Sequence, residues 1–416
     1  MVGLSTEIST VPWLTIVPCL ILVAQLPAAA ILLSRLLPGA WRPSPLKAKR
    51  TRPDQLGTVS VVVPTLNEVN RLGPCLQGLT LQGYVLREIL IVDSQSTDGT
   101  QALVKTIQQQ DPRFRLLSDW PLPPGWVGRP WALDYGFRHS SPTSTWILGI
   151  DADTYPQPGL VAALAQAMED QGYDLVSLAP QFILKTPGEF WLQPALLITL
   201  VYRFGAAGTG PVTSQRVMAN GQCFMIRREL LERLGGYEAA RSSFCDDVTL
   251  ARHAAAQGAR VGFWDGSQLF QVRMYEGMAE TWREWGRSLD LKDASHRLQL
   301  WGDWLFLVLV QGLPWLVAPI LIALRFWAES ESVWGLSLGL LLGLNLGLLG
   351  MRLGLQGAIA SAYCFDQAPG RWAFWLSPLA DIAAVFRIGL SSWQRPRQWR
   401  GRQYPDQSPT PSPSRG

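Results

Sequence analysis

Charge-free apolar runs alternate with mixed stretches along this chain, and the alternation divides it. Residues 8 to 34 carry no charge, which is long enough to cross a bilayer that needs about 20 apolar residues. Glu7 precedes this run and Arg35 succeeds it, so the segment is expected to leave its N-terminus outside and deliver the chain after Arg35 to the cytoplasm. The basic start of a cleaved signal peptide is missing. Trp304 to Leu324 and Val333 to Met351 are two further charge-free runs, joined by Phe326 to Ser332 with its two acids. They predict an antiparallel hairpin through the membrane. Glycines at 335, 339, 343 and 347 strip one face of its second arm and predict close helix approach. Residues 372 to 392 are apolar but interrupted by Pro378, Asp381 and Arg387. Crossing there would leave an Arg-rich tail outside, so an interfacial or re-entrant element is expected. These patterns divide the chain into an anchor at 1–38, a basic linker at 39–57, a folded domain at 58–300, membrane or interfacial segments at 301–392 and a disordered Ser/Pro tail at 393–416.

Within 58–300 the pattern changes to short apolar strands alternating with helices. Val59 to Val63, Glu88 to Val92 and Trp146 to Ile150 are β-rich runs that end in turn residues. Thr100 to Gln110 and Leu160 to Glu169 read as helices between them. Such alternation predicts an α/β domain with a mainly parallel, Rossmann-like sheet, and ligand chemistry at the carboxyl ends of its strands.

Composition supports a membrane-bound reading. Charged residues make up 16 % and hydrophobic residues 48 % of the 416, against about 25 % charged in ordinary soluble domains. The net charge of +4 comes from two basic clusters, Arg35 to Arg52 and Arg387 to Arg415, each beside an apolar segment. They fit cytoplasmic membrane flanks better than a nucleic-acid surface. Five scattered cysteines without CxxC spacing indicate neither a disulfide framework nor a zinc site.

Each strand ends in acids: Pro64-Thr-Leu-Asn-Glu68, Asp93 to Thr100, and Asp151-Ala-Asp153. No GxGxxG or lysine-bearing P-loop accompanies them. Two carboxylates two positions apart on an extended segment suit one hard divalent cation bridging a diphosphate, and equally a turn or a cap. Asp93 and Asp98 likewise suit a turn and a helix start. Asp246-Asp247 precede an amphipathic helix, where they fit either an N-cap favoured by the helix dipole or a general base whose proton affinity is raised by a like-charged neighbour.

Taken in order, these segments resemble the family 2 glycosyltransferases with a GT-A fold. The resemblance is carried by VVVPTLNE, IVDSQSTDGT, Gly125-Trp-Val-Gly-Arg-Pro-Trp-Ala132, IDADT, Gly221 to Arg227 with Leu234-Gly-Gly-Tyr237, and CDDVTLA. It implies a UDP- or GDP-hexose donor with Pro64, Glu68 and Asp93 around the nucleoside. It places Asp151 and Asp153 around the diphosphate and a Mg²⁺ or Mn²⁺ ion, and makes Asp247 the base with Asp246 beside it. Arg129 stands where the family commonly has lysine, and Asp246 where it commonly has glutamate. The processive QxxRW motif is missing, and the W-x-G-[KR]-x-W-A pattern is most similar to bacterial carotenoid and lipid glycosyltransferases.

The expected protein is therefore a multi-pass enzyme of a bacterial membrane with a cytoplasmic catalytic domain. It is expected to act once per acceptor, with inversion, on a carotenoid hydroxyl. A polyprenyl phosphate, hopanoid or ceramide acceptor is the nearest rival, and an inactive transport or scaffold protein the rival of another class. The apolar stretch 190 to 202 reads as a buried helix or a bilayer-surface helix that admits the acceptor. Trp282, Trp285, Trp301 and Trp304, with Arg283 and Arg287, read as an interfacial belt.

Overall fold

The structure is a computed structural model that describes residues 13–210, 213–288, 291–327, 335–366, 368–393, 398–399 and 402–403. Residues 328–332 of the acidic connection and the tail beyond Gln407 lie outside the described residues. After helix α1 (Trp13–Leu36) the chain forms β1 (Val59–Thr65), α2 (Leu72–Thr80), β2 (Leu86–Asp93), α3 (Thr100–Gln110), β3 (Phe114–Ser118), α4 (Gly128–His139) and β4 (Trp146–Ile150). Next come β5 (Thr154–Pro156), α5 (Leu160–Gln171), β6 (Leu175–Ala179), β7 (Gln181–Ile183), α6 (Pro187–Phe204), β8 (Cys223–Arg227), α7 (Arg228–Arg233), α8 (Asp246–Ala256), β9 (Val261–Asp265) and β10 (Phe270–Val272).

Seven strands form the main sheet in the order β3-β2-β1-β4-β8-β6-β9. β1 pairs in parallel with both β2 and β4, while β8 runs antiparallel to β4 and β6. Every residue of β1 is buried, which is why its sequence is mainly apolar on both faces and not alternating, with the Ser60 hydroxyl satisfied by Glu88. The order makes β2, β1 and β4 neighbours, so their three acidic ends share one edge. Past Ile150 the chain bends through Asp151-Ala-Asp153 and leaves the main sheet as β5. That strand belongs to a second sheet of order β11-β7-β10-β5, with β11 at Tyr363–Cys364.

The remaining helices are α9 (Gly277–Ser288), α10 (Arg297–Leu307), α11 (Pro314–Trp327), α12 (Leu336–Ala358) and α13 (Asp381–Trp393), the last preceded by a tighter helix over Arg371–Ala380. Ile16–Trp41, Arg297–Phe326, Leu336–Ala358 and Arg371–Trp393 are each long and apolar enough to cross a membrane. α1 and α12 are joined by a reciprocal amide pair between fully buried Gln25 and Asn345 (3.0 and 2.9 Å). The glycine face of α12 does not pack as expected. A Cβ added at Gly335, Gly343 or Gly347 would meet open space, and the buried face is Leu338, Leu341, Asn345 and Leu348.

The polar interruptions of the last segment are satisfied from inside. Asp381 accepts two bonds from Arg352 (2.7 and 3.1 Å), one from Gln311 (3.0 Å) and one from Trp315 (3.3 Å). Arg387 donates to the backbone carbonyls of Trp282 and Arg283 on α9. Gly370 abuts Pro187 at the start of α6, and at the other end of the segment Trp393 meets Trp301 of α10 at 5.6 Å. The expected Trp belt is partly an internal seam. Trp285 is buried, and Trp304 donates to the Val385 carbonyl at 3.2 Å. The Arg287 side chain lies outside the described residues.

Candidate active site

Secondary structure explains how the acids converge. Glu68 lies just past β1, and its N–H donates to the hydroxyl of Thr100 at the start of α3 (2.9 Å). Asn67 ties the same turn to the loop after β2, donating its N–H to Ser96 (2.8 Å) and accepting the N–H of Thr97 (2.9 Å). Asp98 accepts the N–H of Thr100 (3.0 Å) and marks the start of α3.

Asp246 and Asp247 open α8, whose N-cap residue is Cys245. Neither carboxylate serves chiefly as a cap. Asp247 accepts the N–H of Gly221 at 2.6 Å with one oxygen and that of Val248 at 2.8 Å with the other. Asp246 is paired instead with Arg129, from the first turn of α4. The same guanidinium donates to Asp151 through Nε (3.0 Å) and Nη2 (2.9 Å), and to the Gly221 carbonyl at 2.8 Å. Residue 221 must be glycine for this seat, because a Cβ there would overlap the guanidinium.

Burial, then the charge of Asp246, raise the Asp247 carboxyl to about 6, while Arg129 opposes the shift. Burial alone would lower Arg129, but Asp151, Asp246 and Asp247 together carry it well above its ordinary value. Arg129 is therefore a fixed cation among carboxylates.

Pro64, Glu68, Arg129, Asp151, Asp153, Asp246 and Asp247 all line one cleft of about 920 Å³. Asp93 does not. It is buried and accepts the N–H of Ser96 (3.0 Å) and the side-chain amide of Gln101 (2.7 Å), so its carboxylate shapes the turn after β2. The opposite wall is apolar, with Leu197, Leu200, Val201 and Phe204 from α6 and Leu355 and Ile359 from the end of α12. α6 is thus neither a plain core helix nor a lone surface helix. One side packs on α1, α10 and α13 through Leu196, Ile198 and Tyr202, and another faces the cleft.

Several cleft residues carry no sequence signal for a place in the site. Arg71 reaches Glu280 at 3.5 Å across the cleft mouth, and Trp285 joins the wall from α9. Gly221 is legible only as part of a longer motif, and its two contacts depend on the start of β8 meeting the first turns of α8 and α4. Among the described residues no group of three or more His, Cys, Asp or Glu side chains gathers into a metal cage.

Residues 60–235 match the family described as Glycosyl transferase family 2. A mannosyltransferase from Pyrobaculum calidifontis, solved in complex with GDP-Man and Mn²⁺, shares 20 % identity over 91 % of this chain and 99 % of that one, with a TM-score of 0.50. Glucosyl-3-phosphoglycerate synthase from Mycobacterium tuberculosis, with Mn²⁺, UDP and phosphoglyceric acid, shares 18 % identity over 61 % of this chain and 86 % of that one, with a TM-score of 0.42. No curated protein matches the sequence. The fold is the mostly parallel GT-A α/β fold, flanked by apolar helices at both ends.

Proposed function

We propose that this glycosyltransferase domain moves a hexose from a UDP or GDP sugar to a hydroxyl of an apolar acceptor dissolved in the membrane, with inversion and once per acceptor. A hydroxylated carotenoid is the acceptor we put first. The observation that carries this reading is the continuous cleft that joins the acids Asp151, Asp153 and Asp247 to the apolar wall of α6 and α12. A water-soluble acceptor would not require Leu197, Leu200 and Val201 on that wall. The GDP-Man bound by the Pyrobaculum mannosyltransferase supports the donor class.

Asp151 and Asp153 fit a hard divalent cation. Both are oxygen donors facing the cleft, and Mg²⁺ or Mn²⁺ commonly takes one or two carboxylates and completes its shell with phosphate oxygens and water. When bound there, the cation would offset charge on the departing diphosphate. The chain's own residues do the rest. Pro64 and Glu68 border the nucleoside end, and Arg129 offers a fixed positive charge to the diphosphate. Asp247 takes the acceptor hydroxyl's proton as that oxygen bonds to the anomeric carbon and the bond to the diphosphate breaks. Asp246 holds Arg129 in place.

The apolar segments anchor the enzyme, with α1, Arg297–Phe326 and α12 spanning and 371–393 dipping in and out on the catalytic side. The contact of Gly370 with Pro187 of α6, and the bonds from Arg387 to the Trp282 and Arg283 carbonyls of α9, support that path. Purified enzyme incubated with UDP- or GDP-hexose, Mn²⁺ and a hydroxylated carotenoid should yield a monoglycoside. A gene-deletion strain should accumulate the free carotenoid. A strain that keeps its carotenoid glycosides and loses a glycolipid would transfer the assignment to another lipid. Failure to hydrolyse any nucleotide sugar with metal would favour a transport or scaffold role.

A further inference from the structure

The cleft holds a cation of its own before any donor arrives. Arg129 contacts one oxygen of Asp151 twice, at 3.0 and 2.9 Å, the Gly221 carbonyl at 2.8 Å, and Asp246. Asp151 is thus both half of the DxD pair and the partner of a guanidinium. A divalent cation on Asp151 and Asp153 would stand beside Arg129 across a shared carboxylate, in a site screened far less than bulk water. Two carboxylates also leave such a cation short of ligands, and no third acidic or histidine ligand joins them among the described residues.

A diphosphate meets both demands. Its oxygens complete the cation's shell, and its charge gives the guanidinium fork a second bidentate anion. We propose that Arg129 makes metal and nucleoside diphosphate bind as a pair: it occupies Asp151 in the donor-free enzyme and turns to the diphosphate when both arrive. The inference rests on the donor reading above and adds an order to it. Metal alone is held weakly, and by reciprocity the nucleotide raises metal affinity by the factor by which metal raises nucleotide affinity. A lysine has three donors but no planar fork, so it would hold Asp151 and Asp246 without the bidentate geometry.

The test is calorimetric titration of Mn²⁺ into the full-length protein in detergent, alone and with saturating UDP or GDP. The wild type should bind Mn²⁺ at least about ten-fold more tightly with nucleotide than without. Arg129→Gln should bind Mn²⁺ alone several-fold more tightly than the wild type, and the nucleotide enhancement should shrink to roughly three-fold or less. Arg129→Lys, which keeps charge without the fork, should fall between and decides the matter if the glutamine variant does not fold. Enhancement equal to the wild type in either folded variant would overturn the latch while leaving the donor reading intact. A wild type that binds neither nucleotide, with or without Mn²⁺, would overturn the donor reading and the latch with it.

Discussion

The Asp247 carboxyl is held up to about 6, first by burial and then by the charge of Asp246. A carboxyl raised in this way is protonated below about pH 6 and cannot accept a proton there. The kcat/KM profile should therefore fall on its acid side with an apparent pKa of about 6. Asp246→Asn removes one of the raising charges, so its acid limb should move to lower pH. Asp247→Asn keeps shape and hydrogen bonding but cannot take the proton, so transfer should drop by roughly 10² or more while donor binding, measured by calorimetry, persists. Asp153 is a different case, since a rim carboxylate supports little of the core. Asp153→Ala should keep the fold, as judged by circular dichroism, and lose divalent-dependent donor binding. Unchanged metal dependence would remove Asp153 as a ligand.

Among the elements, α6 joins the two halves of the molecule. Its buried side packs on α1, α10 and α13, and its Leu197 and Val201 reach the cleft. Leu197→Glu and Val201→Glu should weaken transfer to the apolar acceptor more than donor hydrolysis, because only the acceptor has to leave lipid. Equal losses in both reactions would show a general packing defect instead. α12 and α13 depend on the buried Arg352–Asp381 pair, at 2 % and 0 % exposure. Removing one partner leaves a buried charge unmatched, at a cost of about 3–5 kcal/mol. Asp381→Leu should thus lower the unfolding temperature in detergent sharply, and adding Arg352→Met should recover most of the loss, a coupling that the double-mutant cycle measures directly.

For the whole molecule, the decisive quantity is orientation. Basic residues crowd the segment from Arg35 to Arg52, and the proposed orientation puts the catalytic domain on the cytoplasmic side, where nucleotide sugars are made. A reporter fused near Gly172, at the exposed end of α5, should be active only in the form that reads out cytoplasm. Activity confined to the outside would separate the cleft from its donor and end the reading.

The sequence by itself determined β1, β2 and β4, the helices α3 and α5, and the acids at the ends of those strands. Those features are local, because a β-branched run followed by polar turn residues states its own conformation within a few positions. Thr100–Gln110 and Trp146–Ile150 accordingly begin and end where their periodicity does. The same locality misled at α12. Four spaced glycines read as a packing face, yet the face that packs is set by Asn345 meeting Gln25 from 320 residues away. Asp93 read as a site acid; it is buried outside the cleft lining, and one oxygen of its carboxylate accepts from Ser96 and Gln101. Only the tertiary structure decided that Arg129 bridges Asp151 to Asp246, and that Leu355 and Ile359 close the cleft. The physical reason is common to all of these. A pairing between distant segments depends on how elements are docked, and docking is set by the summed burial of many side chains, none of which records its partner in its own neighbourhood.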